Sequence, residues 1–483
     1  MTVPQLVVHG HFYQPPRLDP FNGTMPADPS AAPARDWNQR ISAECYRPNA
    51  LAGNLGAMSW DIGPTLAGWM AGDGGDPVAY RGFVDGDRGV NGMAQPFHHT
   101  ILPLASAADR RTEVRWGLRD FEVRFGRRPT GIWLPETAAD LETLRTLADA
   151  GVEFTILAPW QVASDGLDTR RPVRLDLGGG RSIVAAVFDG LLSAAISFEP
   201  EATIDADAFV RHRVLPRFAE AADDLDGADP LVVIATDGEL YGHHQAQREH
   251  FLARLIGATA PLDGLIHRPS LASAITRATA RGMPVARLRE RTSWSCHHGV
   301  IRWASGCGCV PDGSWKAPLR IALERLAGGI DAMSERLFQA LPGSPDPWAA
   351  RDAYVDVVIG VRSDADFARE WLGGTATPAD VATFTSVMHA QRWRLSMFAS
   401  CAWFWDHPDR PETHGALRSA THAARLIDRA AGTSLESRLD ADLADMHGPG
   451  RQDGLTMLGA ALGAALATSG PENPSARGLR ATG

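Results

Sequence analysis

Cysteine is scarce, with five in 483 residues, too few for the disulfide lattice that small secreted domains use in place of a large core. Residues 1–10 also lack the basic start and apolar run of a secretory leader, and the expectation is a protein of the reducing cytoplasm. No apolar run is long. The longest weakly polar stretch, 455–468, is rich in Ala and Gly and falls short of the roughly 18 to 20 residues of a membrane helix, so no span is expected. Basic charge is not in excess: 47 basic residues face 57 acidic ones, a net charge of −10. Such a field repels phosphate backbones and anionic headgroups, so neither nucleic acid nor a membrane surface is an expected partner. Lys316 is the only lysine; an arginine- and alanine-rich composition accounts for that, and no chemistry is read from it.

What remains is ordinary globular material, 44% hydrophobic and 22% charged, enough to bury a large core. The length suits roughly three units, or one barrel of about 250 to 300 residues with a smaller module. Short β-branched runs bounded by turn residues predict buried parallel strands at 5–9, 131–134, 154–158, 182–188, 231–236 and 285–287. Helical periodicity intervenes at 113–125, 140–150, 206–222 and 245–256, the alternation of a βα barrel or a doubly wound sheet. After Cys309 strand signals become few, and amphipathic helices are expected at 319–341, 347–361, 378–404 and 414–431. The expected organisation is an α/β barrel over 1–310, an α-helical domain over 311–467 and a disordered tail at 468–483.

Chemically loaded residues stand where predicted strands end, the place where βα barrels build their active sites. The first strand runs into His9, His11 and Gln14; 131–134 runs through Trp133 into Glu136; and 231–236 runs into Asp237, Glu239 and Tyr241. A carboxylate closing an apolar strand must be paired or used. Asp237 and Glu239 have a plain structural reading as helix caps, Glu136 as half of an ion pair with an arginine, and each tryptophan as core. Two carboxylates at strand ends also suit glycoside hydrolysis, where one attacks the anomeric carbon and the other protonates the leaving oxygen.

Five segments, in order over about the first 310 residues, give the sequence a resemblance to glycoside hydrolase family 57, whose members act on α-glucans. His9-Gly10-His11-Phe12-Tyr13-Gln14-Pro15 resembles the family's His-Gln-Pro motif, with either His9 or His11 as the matching histidine. His98-His99-Thr100-Ile101-Leu102-Pro103-Leu104 is similar to the second motif; in extended chain only one of the two histidines faces the cleft. Trp133-Leu134-Pro135-Glu136 matches the nucleophile motif and Asp237-Gly238-Glu239-Leu240-Tyr241-Gly242 the acid/base motif. Thr292-Ser293-Trp294-Ser295-Cys296-His297-His298-Gly299 looks like the fifth motif of a poorly characterised branch, which Ser400-Cys401-Ala402-Trp403-Phe404-Trp405 also resembles.

The resemblance implies an incomplete, TIM-like (β/α)7 barrel followed by a helical domain that lends aromatic side chains to the cleft. It implies a retaining α-amylase, 4-α-glucanotransferase or branching enzyme that needs no cofactor, with Glu136 as nucleophile and Asp237 as general acid/base. The carboxyl groups of such a pair stand about 5 to 5.5 Å apart. His9 or His11, Gln14, His99, Trp133, Glu239, Tyr241, Trp294, His298, Trp303 and Trp403 would line the α-glucan, with Trp403 or Trp405, but not both, facing it.

Two other functions are open to these residues. A metal-dependent carbohydrate hydrolase, deacetylase-like or mannosidase-like, would use His9 and His11 as ligands beside a carboxylate, the nearest in sequence being Asp19. A glucan-binding relative would keep the cleft without turnover. Cys296-x-His298 and Cys307-x-Cys309 offer three thiols and an imidazole, enough ligands for tetrahedral zinc, but the one-residue gaps are tighter than usual. The expectation is therefore a metal-free, cleft-lining loop with buried, reduced thiols.

Overall fold

The computed structural model describes residues 3–164, 166–219, 228–262, 264–444, 456 and 459–461. The expected tail at 468–483 and the last turn of the expected helix 206–222 lie outside the described residues. Two compact units share the chain: residues 1–14, 28–97 and 121–297 form the first, and 15–27, 98–120 and 298–483 the second. Neither is one continuous piece of sequence. The boundary expected at 310 falls at 297, and two earlier segments belong with the helices.

The first unit is an α/β structure. Its central four-stranded sheet is parallel, in the order β3 (Gly92–Met93), β2 (Ser59–Ile62), β1 (Gln5–Phe12), β8 (Leu231–Asp237). A second, mixed sheet runs β4 (Phe154–Leu157), β7 (Arg181–Val187), β6 (Val173–Gly178), β9 (Val285–Leu288), β5 (Val162–Ala163). Single parallel bridges, Ala94 to Ile132 and Gly131 to Phe154, run from the end of β3 across to β4. On the other side Asp189 N–H donates to Val233 of β8 at 2.7 Å.

All eight residues of β1 are buried, which is why this strand reads as a continuous apolar run rather than an alternating one. Alternation still decides what each residue meets. Leu6, Val8 and Phe12 join a core with Trp60 and Ile62 of β2 and Val232 and Ile234 of β8. Val7 joins a second core with Val233, Ala235 and Trp133. His9 and His11 continue the Val7 face. Their register partners are Ser59 and Asp61 on β2, and Ala235 and Asp237 on β8.

The expected strand 131–134 pairs only through those single bridges. Pro135 has no N–H to continue a ladder, and Glu136 turns left-handed at φ 58°. Four strands are absent from the sequence reading: β2, β3 and β5 are only two to four residues long, and β6 alternates strictly with an exposed face.

The second unit is helical. Lys316–Ala340, Pro347–Ala353, Pro378–Ser396 and Pro411–Ala431 correspond to the expected helices, and Asp364–Leu372 and Leu435–Ala444 are additional. Residues 98–120 belong here because their charges are neutralised here. Asp109 accepts from Arg351 at 2.8 Å and Arg394 at 2.7 Å, Arg394 reaches Asp331 at 2.5 Å, and Trp116 Nε1 donates to the Arg351 carbonyl at 2.9 Å.

Candidate active site

The site grows from the inward face of β1 in the first unit. Gly10 separates the two histidines, and a Cβ there would stand 2.7 Å from Met58 Cε, so the bare backbone keeps β1 seated. His9 Nε2 and His11 Nδ1 each lie 2.8 Å from a different oxygen of Asp61, and His9 Nδ1 meets Ser59 Oγ at 3.1 Å. The Gln95 amide donates to the same carboxylate and to the Phe12 carbonyl. Trp133 lies beneath both rings, with centroids 5.1 Å from His9 and 5.0 Å from His11 at interplanar angles of 16° and 19°.

This packing separates the two histidines electrostatically. Burial outweighs the Asp61 interactions at His9 and lowers its pKa, holding the ring neutral. Burial opposes the charge on His11 as well. There the charge and hydrogen bond of Asp61, with the charges of Asp237 and Glu239, overcome it and raise the pKa to about 9. Asp61 is itself buried, yet the His11 charge and the two imidazole hydrogen bonds keep its pKa low. The result is a buried carboxylate and imidazolium beside a neutral imidazole.

Glu136 follows Trp133 by three residues. Its Oε2 accepts from Ser295 Oγ at 2.7 Å and Trp294 Nε1 at 3.1 Å, while its backbone carbonyl accepts from Trp294 N–H at 3.0 Å. One short segment thus grips both ends of the residue. Desolvation raises the Glu136 pKa and the Asp237 charge adds to this, against the Ser295 and Trp294 hydrogen bonds. Asp237 closes β8 and is the one exposed residue of that strand. Desolvation raises its pKa, opposed by the charges of His11 and His244.

Glu239 is buried and accepts from Tyr46 Oη at 2.6 Å; Gln14 Nε2 in turn donates to Tyr46 Oη at 3.0 Å. Burial and the Asp237 charge push its pKa up to about 7.

The first unit therefore brings together His9, His11, Gln14, Trp133, Glu136, Asp237, Glu239 and Trp294. His99, His298, Trp303 and Trp403 belong to the second unit. There His99 Nδ1 meets Ser400 Oγ at 2.7 Å, and His98 is bound to Glu113 at 2.7 Å. Packing buries several of the expected sugar contacts completely, His9 and Trp133 among them. Tyr241 lies in the core and its hydroxyl accepts from Thr236 at 3.2 Å; Trp303 and Trp403 are fully buried. The choice within the Trp403 and Trp405 pair is reversed, since Trp405 is the exposed one. The thiols also differ from expectation, Cys309 being exposed and Cys307 half-buried.

Asp61, Gln95, Tyr46 and Ser295 escaped the sequence reading. Asp61 left one trace, the alternation Ser59-Trp60-Asp61-Ile62, which is the pattern of a short strand with one polar face.

Residues 88–286, which carry both Glu136 and Asp237, match the family model described as glycosyl hydrolase family 57. This segment, less than half of the chain, resembles glycosyl hydrolase family 57. Beyond that segment, residues 312–449 match a domain of unknown function, DUF3536. A 4-alpha-glucanotransferase of Thermococcus litoralis is 23% identical over 212 residues, 41% of this chain and 30% of that protein, so the match spans less than a third of the relative. The fold is shared with a family 57 branching enzyme from Pyrococcus horikoshii at a TM-score of 0.62 and 15% identity, covering 91% of this chain and 94% of that one. It is also shared with an exo-type maltose-forming amylase from Pyrococcus sp. ST04 at a TM-score of 0.71 and 16% identity, covering 95% and 88%. No helix among the described residues of this chain is long and apolar enough to cross a membrane.

Proposed function

We propose that the protein is a retaining α-glucan hydrolase or transglycosylase with Glu136 as nucleophile and Asp237 as general acid/base. The observation that carries this reading is the grip of Ser295 and Trp294 on the Glu136 carboxylate, within a site whose other strand-end carboxylate has a raised pKa. In the first step Glu136 attacks the anomeric carbon as the glycosidic bond breaks, and Asp237 gives its proton to the departing oxygen. In the second, Asp237 takes a proton from water or a sugar hydroxyl, which attacks the same carbon and releases Glu136. Two inversions at one carbon give net retention. The His11 imidazolium favours the anionic form of both carboxylates, which suits the nucleophile and the second-step base. Desolvation of Asp237 works the other way and favours the proton it must donate first.

In this reading β1, β2, β3, residues 131–132, β4, β7 and β8 are the seven members of the incomplete barrel, and the bridges and the Asp189 to Val233 bond support that order. A metal-dependent hydrolase has less support. The Asp61 oxygens are engaged by His9, His11 and Gln95, and the metal-compatible group among the described residues lies elsewhere.

The test is incubation of the protein, and of Glu136→Gln, with maltoheptaose and amylose while reducing ends and product lengths are followed together. Retention of anomeric configuration with a loss of at least about a thousandfold in the variant is expected. New reducing ends indicate hydrolysis, and longer chains without them indicate transfer. Full activity of Glu136→Gln, or inversion, would refute the assignment. Binding without turnover in either protein would make the chain a glucan-binding relative.

A further inference from the structure

Three thiols and an imidazole converge in one fourteen-residue stretch outside the carboxylate site. The ligand atoms of Cys296, His298, Cys307 and Cys309 all lie within 4.8 Å of one another, and Cys309 Sγ is 3.3 Å from His298 Nδ1. None of these cysteines is in a disulfide. In a tetrahedral zinc site with Zn–S bonds of about 2.3 Å, neighbouring sulfurs stand about 3.8 Å apart, so the four atoms need only small shifts to take the ion.

Residues 305–315 form neither helix nor strand, and both Cys309 and His298 are exposed, so apolar burial does not explain why they meet. The loop folds tightly enough that a Cβ on Gly306 would stand 2.8 Å from the Gly313 backbone. The one-residue gap of Cys307-x-Cys309 is bridged by this turn, and both sulfurs face the same point.

We propose that Cys296, His298, Cys307 and Cys309 bind one zinc ion as a closed structural site. Three thiolates and one imidazole are a set zinc accepts without redox change, and four protein ligands leave no position for a reacting water. The ion therefore acts by holding the chain. Cys296 directly follows Ser295, whose hydroxyl donates to Glu136. Zinc bound at Cys296 anchors the segment that grips this carboxylate, a consequence that rests on Glu136 being the nucleophile.

The full-length protein, produced with zinc and dialysed extensively, is to be assayed for metal by mass spectrometry. Equimolar zinc is expected, with retention falling at least about tenfold in Cys309→Ser and in His298→Ala. Cobalt in its place should show thiolate charge-transfer and tetrahedral ligand-field absorption. Cys309 and His298 are exposed, so both variants should fold, which circular dichroism checks. Negligible zinc in the folded wild type, zinc unchanged in both variants, or an intact mass showing a disulfide among these cysteines would each overturn the site. These readouts do not involve activity, so they stand or fall separately from the glucan assignment.

Discussion

Asp61→Asn removes the buried charge that keeps His11 protonated while leaving the side chain nearly the same size. The rise of the His11 pKa from 6.5 to about 9 corresponds to about 3 kcal/mol of preference for the imidazolium, with the charge and hydrogen bond of Asp61 as its leading support. Without Asp61, burial dominates, and the ring should titrate at or below its ordinary value. At neutral pH His11 should then be mostly neutral. Histidine-selective labelling and an NMR titration, with His11→Gln to assign the signal, read this directly.

Stability gives a second reading with a definite sign. Because the folded pKa lies above the unfolded one, the stabilisation is complete below pH 6.5 and is lost as pH rises through about 9. Wild-type stability should fall by up to about 3 kcal/mol across that window relative to Asp61→Asn. In turnover, loss of the cation should raise the Asp237 pKa further and move the alkaline limb of the rate profile upward. A wild-type His11 that titrates at or below 6.5, or one still near 9 in the variant, would refute this electrostatic account.

Ser295→Ala removes a donor to Glu136, so the nucleophile's pKa should rise, shifting the acidic limb of kcat upward with a loss of about tenfold in rate; an unmoved limb refutes it. Glu239→Gln tests the carboxyl whose pKa climbs from 4.5 to about 7. Its stabilisation is present below pH 4.5 and lost as pH rises through about 7, so the variant should gain about 3 kcal/mol over wild type between pH 4 and pH 8. Equal urea midpoint shifts at both pH values would contradict that. Asp109→Asn leaves Arg351 and Arg394 buried without their shared carboxylate and should cost about 3 to 5 kcal/mol in chemical denaturation; a cost below about 1 kcal/mol would mean the arginines find other compensation.

Local chemistry made much of this protein legible in one dimension. The buried strands β1, β4 and β8 announce themselves because a strand covered on both faces must be apolar nearly throughout. The long helices after residue 310 are visible because each keeps one apolar stripe. Glu136 and Asp237 stand out because a carboxylate at the end of such a strand needs a reason to be there. What escaped was everything fixed by partners distant in sequence. Asp61 lies fifty residues beyond His11 in the chain, and only parallel register puts it opposite both histidines. Nothing in the first strand distinguishes neutral His9 from charged His11; their different depths and neighbours do. Trp403 and Trp405 read alike as aromatic, yet packing buries one and exposes the other. Segment 98–120 joins the helical unit rather than the strands on either side of it because its Asp109 must meet Arg351 and Arg394. Sequence alone determined which residue types stand at the strand ends, since periodicity and burial are local properties. Tertiary structure alone decided which of them meet and what charge each carries, since contact and desolvation depend on the whole fold.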